Sequence, residues 1–228
     1  MVEQQCRALI FANEVSGLKL KLRLKNKMAF SNINNAITDF KKGKFLIVID
    51  DKHRENEADL AIAAEKANPQ KINFMIKNAR GLVCVPMLGQ RLDELKLPLM
   101  TKVNSELHLC KFTVSVDCKK GTTTGISTYD RAKTIKVLID KNTKPDDLAR
   151  PGHIFPLRCD EEGLIKRAGH TEAAIELTRL ADMHPAAVIC EIIGEDGKMA
   201  KMPELKKFAK KNNLKIIRIK DLVEYINS

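Results

Sequence analysis

The stretch Phe45-Leu-Ile-Val-Ile49, followed directly by Asp50-Asp-Lys-His-Arg-Glu-Asn-Glu-Ala-Asp59, indicates both the fold class and a place for chemistry. Five consecutive apolar residues have the length of a buried strand and are too few for a helix. The polar segment after them predicts a loop at the strand's carboxyl end, where open α/β sheets bind ligands. Its five carboxylates repel one another unless a divalent cation or a cationic partner neutralises them. A solvated acidic turn is the alternative interpretation.

Strand-like and helical patterns alternate on both sides of this stretch. Strands are predicted at Leu60–Ala64, Leu82–Met87, Phe112–Val116, Ile154–Leu157, Ala187–Ile193 and Lys215–Ile219. Helices are predicted from Ile33 to Phe40 and at Pro69–Ala79, Thr128–Ile139, Thr171–Ala181, Pro203–Lys211 and Asp221–Ile226. Because there is no repeat period and no long linker, we expect a single α/β (or α+β) domain over residues 28–228. No dinucleotide-binding or Walker lysine motif appears among these elements.

Residues 1–27 differ from the rest, because Leu18 to Lys25 alternates apolar and basic residues. We expect a peripheral N-terminal extension here. An edge strand, a weak targeting segment or sequence upstream of a second start at Met28 remain open, and the sequence does not indicate its role.

The composition of the 228 residues, 44% hydrophobic and 30% charged, excludes collagen-like and wholly disordered proteins. The net charge of +11 suggests an anionic partner: nucleic acid, a membrane surface or a phosphorylated substrate. Residues 1–27 carry six Lys or Arg against two acids, and residues 198–220 carry nine against Glu204 alone, so the remainder has a net charge of −1. The aromatic content of 4% without Trp argues against a base-stacking surface. No apolar run approaches the roughly 20 residues that cross a bilayer.

The six cysteines show no C-x-x-C or zinc-finger spacing: Cys6, Cys84, Cys110, Cys118, Cys159 and Cys190. Scattered thiols of this kind are typical of a reducing compartment and of buried, inert sulfur. The N-terminus has no signal-peptide pattern. We therefore expect a cytoplasmic protein.

A second motif, Arg167-Ala-Gly-His-Thr171, stands directly before a helical pattern. Thr171 is the predicted N-cap, and a helix N-terminus attracts anions. With Arg167 beside it and Gly169 allowing close backbone approach, this is the local chemistry of a phosphate site. His170 would face the same site as a ligand or an acid–base group. An ordinary helix start with a surface histidine is the alternative.

Three further residues are weaker candidates for a functional site. His153 follows Arg150-Pro-Gly and is placed at a turn that leads into a strand. Glu191 interrupts an apolar strand, so it either faces solvent or lies buried in a site. Cys84 ends Gly81-Leu-Val-Cys84 and is more typical of packing than of a nucleophile.

Taken in order, the motifs resemble those of the 3,4-dihydroxy-2-butanone 4-phosphate synthase family. They are Asp-Asp-x-x-Arg-Glu-Asn-Glu-x-Asp, Arg-Gly-Leu-Val-Cys, Phe-Thr-Val-Ser-Val-Asp, Thr-Thr-Gly-Ile-Ser, Arg-Pro-Gly-His-Ile-Phe-Pro-Leu, Arg-Ala-Gly-His-Thr-Glu-Ala and Cys-Glu-Ile. The resemblance extends from Met28 to Tyr225 and is closest to the synthase half of bifunctional riboflavin enzymes. A GTP cyclohydrolase II half would need a second domain, and the sequence gives no indication whether a separate one associates.

The resemblance implies a single-domain, mixed-sheet α/β fold and a lyase of riboflavin biosynthesis. This family converts D-ribulose 5-phosphate to L-3,4-dihydroxy-2-butanone 4-phosphate and formate by enolisation, dehydration, skeletal rearrangement and excision of C4. It requires a divalent metal, Mg²⁺ with Mn²⁺ as a substitute. It is a homodimer with residues of both subunits in each site, and neither nucleic acid nor a membrane is a partner.

The resemblance also implies a role for each matching residue. Glu55 and His170 would hold the metal, and His153 and Glu191 would be the catalytic pair. Glu57 and Cys84 would line the site. The substrate would be bound by Arg54, Glu55, Asp59, Arg167, Ala168, Gly169, His170 and Thr171.

Three residues depart from the family pattern. Lys52 stands where Glu is usual, and Ala58 stands where Gly is usual and is expected to stiffen the acidic loop. Cys110 replaces a Thr, and its thiol is a weaker donor than a hydroxyl. A pseudoenzyme on the same fold is therefore one alternative, and a basic protein that binds nucleic acid or an anionic surface is the other. Because the proposed metal and catalytic residues are all present, we expect a working enzyme.

Overall fold

One mixed sheet of seven strands runs through residues 30–228, the part of the chain that the structure, a computed structural model, describes. The strands lie in the order β4-β5-β3-β6-β2-β1-β7; pairs β1–β7 and β3–β5 are parallel and the others antiparallel. The predicted α/β fold with a mixed sheet is confirmed. The N-terminal extension, residues 1–27, and Met28 lie outside the described residues. The strands are β1 (Leu46–Ile49), β2 (Ala58–Ala63), β3 (Cys84–Met87), β4 (Val116–Cys118), β5 (Leu148–Arg158), β6 (Ala187–Glu191) and β7 (Lys215–Arg218).

Eight α-helices are interspersed among these strands in the described residues. A π-helical turn, Met75–Ala79, continues the second helix, and short 3-10 turns occupy Ala64–Lys66 and Pro145–Asp147. Within residues 30–228 we find no helix of the length and apolar character that crossing a membrane requires. The helices are α1 (Ile33–Lys41), α2 (Pro69–Phe74), α3 (Gly89–Glu94), α4 (Thr128–Ile139), α5 (Gly163–Lys166), α6 (His170–Leu180), α7 (Met202–Asn212) and α8 (Ile219–Ile226).

The sheet is covered by helices on both faces. Successive strand residues point to opposite faces, so Ile47 and Leu60 pack in one core with α2, α3, α4 and α7, whereas Leu46 and Ala61 pack in a second core with α1, α6 and α8. Because both faces are buried, β1 and β2 are almost wholly apolar, as in other covered sheets. This three-layer arrangement explains why the strands read as short continuous apolar runs in the sequence.

The directions of the central strands bring the carboxyl ends of β1 and β6 and the amino ends of β2 and β3 to the same side of the sheet, which is here called its edge. β2 runs antiparallel to both β1 and β6, so β1 and β6 end at the edge where β2 begins. β3, antiparallel to β6, begins at the same edge, and α6 packs across β2, β3 and β6. The acidic loop between β1 and β2 therefore lies beside the start of β3 and the end of β6.

Some local predictions are wrong in their bounds. Phe112 pairs with Leu157 only as an isolated bridge, and β4 begins at Val116. β5 is longer than predicted, so His153 lies inside a strand and not in a turn before it. A bulge between β4 and β5 and the close approach of Gly152 to the Val116 backbone let this strand bend, which an apolar pattern does not reveal. The short helices α3 and α5 are missed, since each spans too few residues to show a period.

The start of α6 also differs from the prediction. Gly169, not Thr171, is the N-cap residue; it has an extended backbone and no side chain caps the helix. Thr171 is buried in the first turn. The first N–H groups of α6 are thus not satisfied by a capping side chain, which suits an anion at this position.

Candidate active site

A cavity of about 490 Å³ opens at the edge of the sheet where β1 and β6 end. Its lining includes Leu157, Ile189 and residues of the segment from Glu106 to Cys110. Three of the predicted site residues do not line the cavity: Gly169 is buried, and Ala168 and His153 are exposed. The predicted site residues that line the cavity are Arg54, Glu55, Glu57, Asp59, Cys84, Arg167, His170, Thr171 and Glu191.

Three side chains, two of which line the cavity, form a potential metal site. Ligand atoms of Asp50, Glu55 and His170 all lie within 4.8 Å of one another. Nδ1 of His170 is 3.1 Å from Oε2 of Glu55. Its other ring nitrogen, Nε2, is buried and has no hydrogen-bond partner among the described residues. Two carboxylates and a buried imidazole with an unused nitrogen fit a divalent cation.

Glu55 and His170 stabilise each other's charged forms. Burial opposes the charge of Glu55, but the hydrogen bond with His170 and the nearby guanidinium of Arg54 lower the pKa of Glu55 to about 2. Burial likewise opposes the charge of His170, but Asp59 and Glu55 outweigh it and raise the pKa of His170 to about 9. Without a metal, Glu55 is therefore a carboxylate and His170 an imidazolium. The extra proton on His170 supplies the positive charge that a bound cation would otherwise supply.

A second group of carboxylates faces the cavity from the sheet. Asp59 in β2 is the direct partner of Glu191 in β6, so both side chains project from the same face. Burial, together with the charges of Glu191 and Glu55, raises the pKa of Asp59 to about 7 despite the attraction of His170. Burial also raises the pKa of Glu57. The carboxyl group of Asp59, with its pKa near 7, can exchange protons near neutral pH.

The end of β6 holds Glu191 in a defined position. Its Oε2 accepts the backbone N–H of Leu82 at 2.8 Å, and its carbonyl accepts the N–H of Gly81 at 3.1 Å. A Cβ on Gly81 would lie 2.5 Å from both Oε2 and the carbonyl oxygen of Glu191. Glycine is thus required for this close approach of backbone and carboxylate.

Two guanidinium groups converge at the start of α6. A Cβ on Gly169 would lie 2.6 Å from Nη1 of Arg167 and 2.9 Å from Nη2 of Arg54. Arg167 is held by the buried carboxylate of Glu172 at 2.5 Å and by the carbonyl of His108 at 3.1 Å. Two forked cations next to a helix N-terminus have the chemistry that suits a phosphate dianion.

Both thiols in the cavity are neutral. Burial and the charges of Glu191 and Asp59 raise the pKa of Cys84, and burial raises the pKa of Cys110 to about 11. A thiol whose pKa is raised is a poor nucleophile. The prediction that Cys84 is a packing residue agrees with this environment, and Cys110 contributes a weak donor to the cavity wall.

His153 stands apart from the cavity with a partner of its own. Asp117 accepts the backbone N–H of His153 at 2.9 Å through Oδ1, and its Oδ2 lies 2.7 Å from Nδ1 of the ring. Gly125, at φ +89, covers the pair; a Cβ there would lie 2.0 Å from Oδ2 of Asp117. The His153 side chain remains 43% exposed, so Asp117 fixes an imidazole that faces outward.

Sequence reasoning missed several residues of the site. Asp50 belongs to the acidic loop, so its charge and position were the available signal for a second metal-site carboxylate. Asp117 ends the Phe-Thr-Val-Ser-Val-Asp motif, but the sequence assigned it no role. Glu106 and His108 line the cavity from a segment that shows no local pattern.

The residues that depart from the family pattern lie in different places. Lys52 is exposed in the acidic loop. The expectation that Ala58 stiffens this loop is wrong, because Ala58 is buried in β2 opposite Ile49 and the sheet determines its backbone. Cys110 lines the cavity.

Several known proteins are similar to this chain. It is 58% identical over 202 residues to the riboflavin biosynthesis protein RibBA of Endomicrobium trichonymphae, covering 89% of this chain and 50% of that protein. It is 53% identical to the monofunctional riboflavin biosynthesis protein RIBA 2, chloroplastic, of Arabidopsis thaliana, covering 86% of this chain and 42% of that protein. The chain thus spans about half the length of these curated relatives.

Solved structures are similar as well. A 3,4-dihydroxy-2-butanone 4-phosphate synthase in complex with two magnesium ions matches with a TM-score of 0.82 and 40% identity, over 86% of this chain and 97% of that one. The enzyme of Candida albicans matches with a TM-score of 0.79 and 46% identity, over 86% and 98%. The model of one family matches residues 34–225, which is most of the chain. The chain therefore belongs to the 3,4-dihydroxy-2-butanone 4-phosphate synthase family.

Proposed function

We propose that the protein converts D-ribulose 5-phosphate to L-3,4-dihydroxy-2-butanone 4-phosphate and formate, a lyase reaction of riboflavin biosynthesis. The observation that carries this proposal is the pairing, in one cavity, of a potential metal site with two guanidinium groups at a helix N-terminus. A sugar phosphate has the matching parts: vicinal oxygens for a metal and a dianion for the cations. The family membership of the chain supports the same assignment.

In the proposed complex, the phosphate lies between Arg54 and Arg167 at the start of α6, with Gly169 leaving room for it. The near-neutral charge of the chain outside its two basic segments indicates that local geometry, and not the overall charge, holds the substrate. Fixing the phosphate at one end orients the carbon chain toward Glu55 and Asp59. Such positioning supplies part of the lowering of the barrier.

Glu55 and His170 are the proposed metal residues, with Asp50 beside them. A divalent cation bound there would acidify the C–H next to the substrate carbonyl and stabilise the negative charge that follows its removal. The buried Nε2 of His170 supports this role, because it has no hydrogen bond within the described residues and lies 3.9 Å from Oδ1 of Asp59. A relative crystallised with two magnesium ions supports Mg²⁺, and the imidazole in the set makes Mn²⁺ a suitable substitute.

The proton transfers are assigned to the carboxyl groups along the sheet. Asp59, whose pKa is raised to about 7, can take a proton from the substrate and return it at neutral pH. Glu191 lies opposite Asp59 and, fixed by the Leu82 N–H, is placed to act on a second carbon. Repeated enolisation and dehydration need two such groups in different environments.

We also propose that the protein is a homodimer whose sites are shared. His153 does not line the cavity of its own chain, yet Asp117 fixes it in an outward-facing position. Ile126 and Tyr129, close to Gly125 in the chain, are 52% and 69% exposed, which gives this surface an apolar character suited to a second copy. His153 would then act as the acid–base group in the partner's cavity.

Subunit mixing tests the shared site. Equal amounts of inactive Glu55→Ala and His153→Ala chains, unfolded and refolded together, should recover about a quarter of the wild-type activity, since half of the dimers then carry one intact site. Recovery of no activity, with dimers present, would contradict the shared site. A monomer by sedimentation that retains full activity would contradict the dimer.

The reaction itself is tested by formate release. Incubation with ribulose 5-phosphate and Mg²⁺ should release one formate per substrate, and Glu55→Ala should abolish it, whereas Glu195→Ala, a change at an exposed carboxylate, should not. Absence of formate with Mg²⁺ and with Mn²⁺ would refute the proposal. If substrate still binds, that outcome would favour a pseudoenzyme.

A cytoplasmic location is part of the proposal. All five cysteines of the described region are free thiols: Cys84, Cys110, Cys118, Cys159 and Cys190. Free thiols are usual in reducing compartments. The relative from Arabidopsis thaliana is described as chloroplastic, so localisation by microscopy in the source cells is the measurement that decides.

A further inference from the structure

The acidic loop, residues 50–57, has few ties to the rest of the molecule. Most of its hydrogen bonds are internal: the N–H of Asp50 donates to the carbonyl of Glu57, the N–H of Asn56 donates to the carbonyl of Asp51, and the Asp50 carboxylate accepts from Arg54. Among residues 30–228, only two side chains from outside make a hydrogen bond to this loop, namely His170 and Lys201. His170 belongs to the site already described, whereas Lys201 does not.

Lys201 reaches the loop from the far end of the chain. Its Nζ donates to the carbonyl of Asn56 at 3.0 Å. Asn56 has φ +53, so the chain turns sharply there, directly between Glu55 and Glu57. A charged donor to a backbone carbonyl makes a stronger hydrogen bond than a neutral one.

The backbone of Lys201 is itself well anchored. Lys201 is the N-cap residue of α7, and its N–H donates to the Glu204 carboxylate at 3.1 Å. The residue before it, Ala200, is buried and donates its N–H to Ile192 at 2.9 Å, next to the end of β6. Lys201 therefore connects a fixed point at the edge of the sheet to the loop that carries Glu55.

We propose that Lys201 is a positioning residue that holds the acidic loop against the cavity, so that Glu55 faces His170 before metal and substrate bind. Glu55 and His170 would both bind the metal, so the hydrogen bond between them depends on whether a ligand is present. The hydrogen bond from Lys201 to the loop does not. The catalytic consequence rests on the proposed function, but the position of the loop does not. Loss of this tie should open the loop and weaken metal binding.

Limited trypsin digestion of the native, full chain measures loop opening directly, because Lys52 and Arg54 lie in the loop. In Lys201→Met, cleavage after these residues should be about fivefold faster than in wild type, the factor expected for one lost hydrogen bond. Lys201→Arg, which keeps a charged donor, should stay within about twofold of wild type. The matched control is Lys207→Met: Lys207 is exposed on α7, and its side chain makes no ion pair or hydrogen bond within the described part of the chain.

Binding of Mn²⁺ without substrate is the second measurement. Its Kd, from the electron paramagnetic resonance signal of free Mn²⁺, should rise about fivefold in Lys201→Met and stay unchanged in Lys207→Met. Equal cleavage and equal Mn²⁺ binding in these two variants would overturn the proposal. So would Lys201→Arg behaving like Lys201→Met, or a general destabilisation that speeds cleavage at Lys136 in α4 as much as in the loop.

Different results would refute the proposed function and the proposed role of Lys201. If no variant, wild type included, releases formate, the proposed function is refuted, and digestion still decides about Lys201. If wild type releases formate but the loop is cleaved equally in Lys201→Met and Lys207→Met, only the role of Lys201 is refuted.

Discussion

Metal binding should compete with a proton on His170. In the metal-free protein the Glu55 carboxylate and the buried Asp59 stabilise the imidazolium and raise the pKa of His170 to about 9. A metal ligand must be a neutral imidazole. With His170 as the proposed ligand, each metal ion that binds below pH 9 should displace a proton from it, and the apparent affinity for the metal should depend on pH.

The size of this effect follows from the raised pKa. At pH 7 a group with a pKa of about 9 is neutral in about one molecule in a hundred, so deprotonation costs about 3 kcal/mol. The apparent Kd for Mn²⁺ should tighten about tenfold per pH unit between about pH 7 and pH 9 and level off above that. An unperturbed histidine, with its pKa of 6.5, would show almost no change over this range.

Titration calorimetry at pH 7 in buffers of different ionisation enthalpy measures the protons released, and about one per metal ion is expected. Glu55→Asp keeps a carboxylate and should keep the release, whereas Glu55→Gln removes the hydrogen-bonded charge and should reduce it. A Kd that is constant from about pH 7 to pH 9, with no proton released, would refute the assignment of His170 as a protonated metal residue.

Three further results are expected. Asp117→Asn should lower kcat about 100-fold or more with little change in KM, because His153 loses the carboxylate that fixes its tautomer, and an unchanged kcat would contradict this role. Gly169→Ala should raise KM at least about tenfold, because the added Cβ would lie 2.6 Å from Arg167 Nη1, while Mn²⁺ binding should persist; an unchanged KM in steady-state kinetics would count against the phosphate site. The metal-free protein should lose stability in alkali. The folded pKa of His170, about 9, exceeds its ordinary 6.5, so its contribution of up to about 3 kcal/mol is complete below pH 6.5 and is lost as the pH rises through 9. Thermal melts should show a lower Tm at about pH 10 than at pH 7, a difference that His170→Gln should reduce.

Most of the secondary structure could be predicted because its signals are local. The bounds Thr128–Ile139 of α4 agree with the prediction, since Ser127 caps the helix by accepting the N–H of Asp130 and the pattern lasts three turns. β1 was predicted from a short apolar run, which is what a strand covered on both faces requires. The start of α6 was predicted wrongly, because Thr171 is a good cap by residue type, whereas the helix begins at His170 with Gly169 as its N-cap.

Part of the candidate site could also be predicted from local sequence signals, and part could not. The acidic loop and the Arg167 to Thr171 segment were recognisable, because charges packed into a few residues beside a strand end or a helix start are unusual. His153 shows the limit: its motif was visible, but its distance from the cavity and its contact with Asp117 depend on how β4 pairs with β5. The hydrogen bond from Lys201 to the carbonyl of Asn56 had no signal in the sequence.

The sequence alone determined most element types and the α/β class, and it indicated candidate residues for a metal and a phosphate, because composition and periodicity act between near neighbours. Tertiary structure decided which of those residues meet. The register of β2 against β6 places Asp59 opposite Glu191, and α6 brings His170 to Glu55. These contacts join residues more than a hundred positions apart. Their register follows from packing of whole sheet faces, and a shift by one residue would turn each side chain to the opposite face.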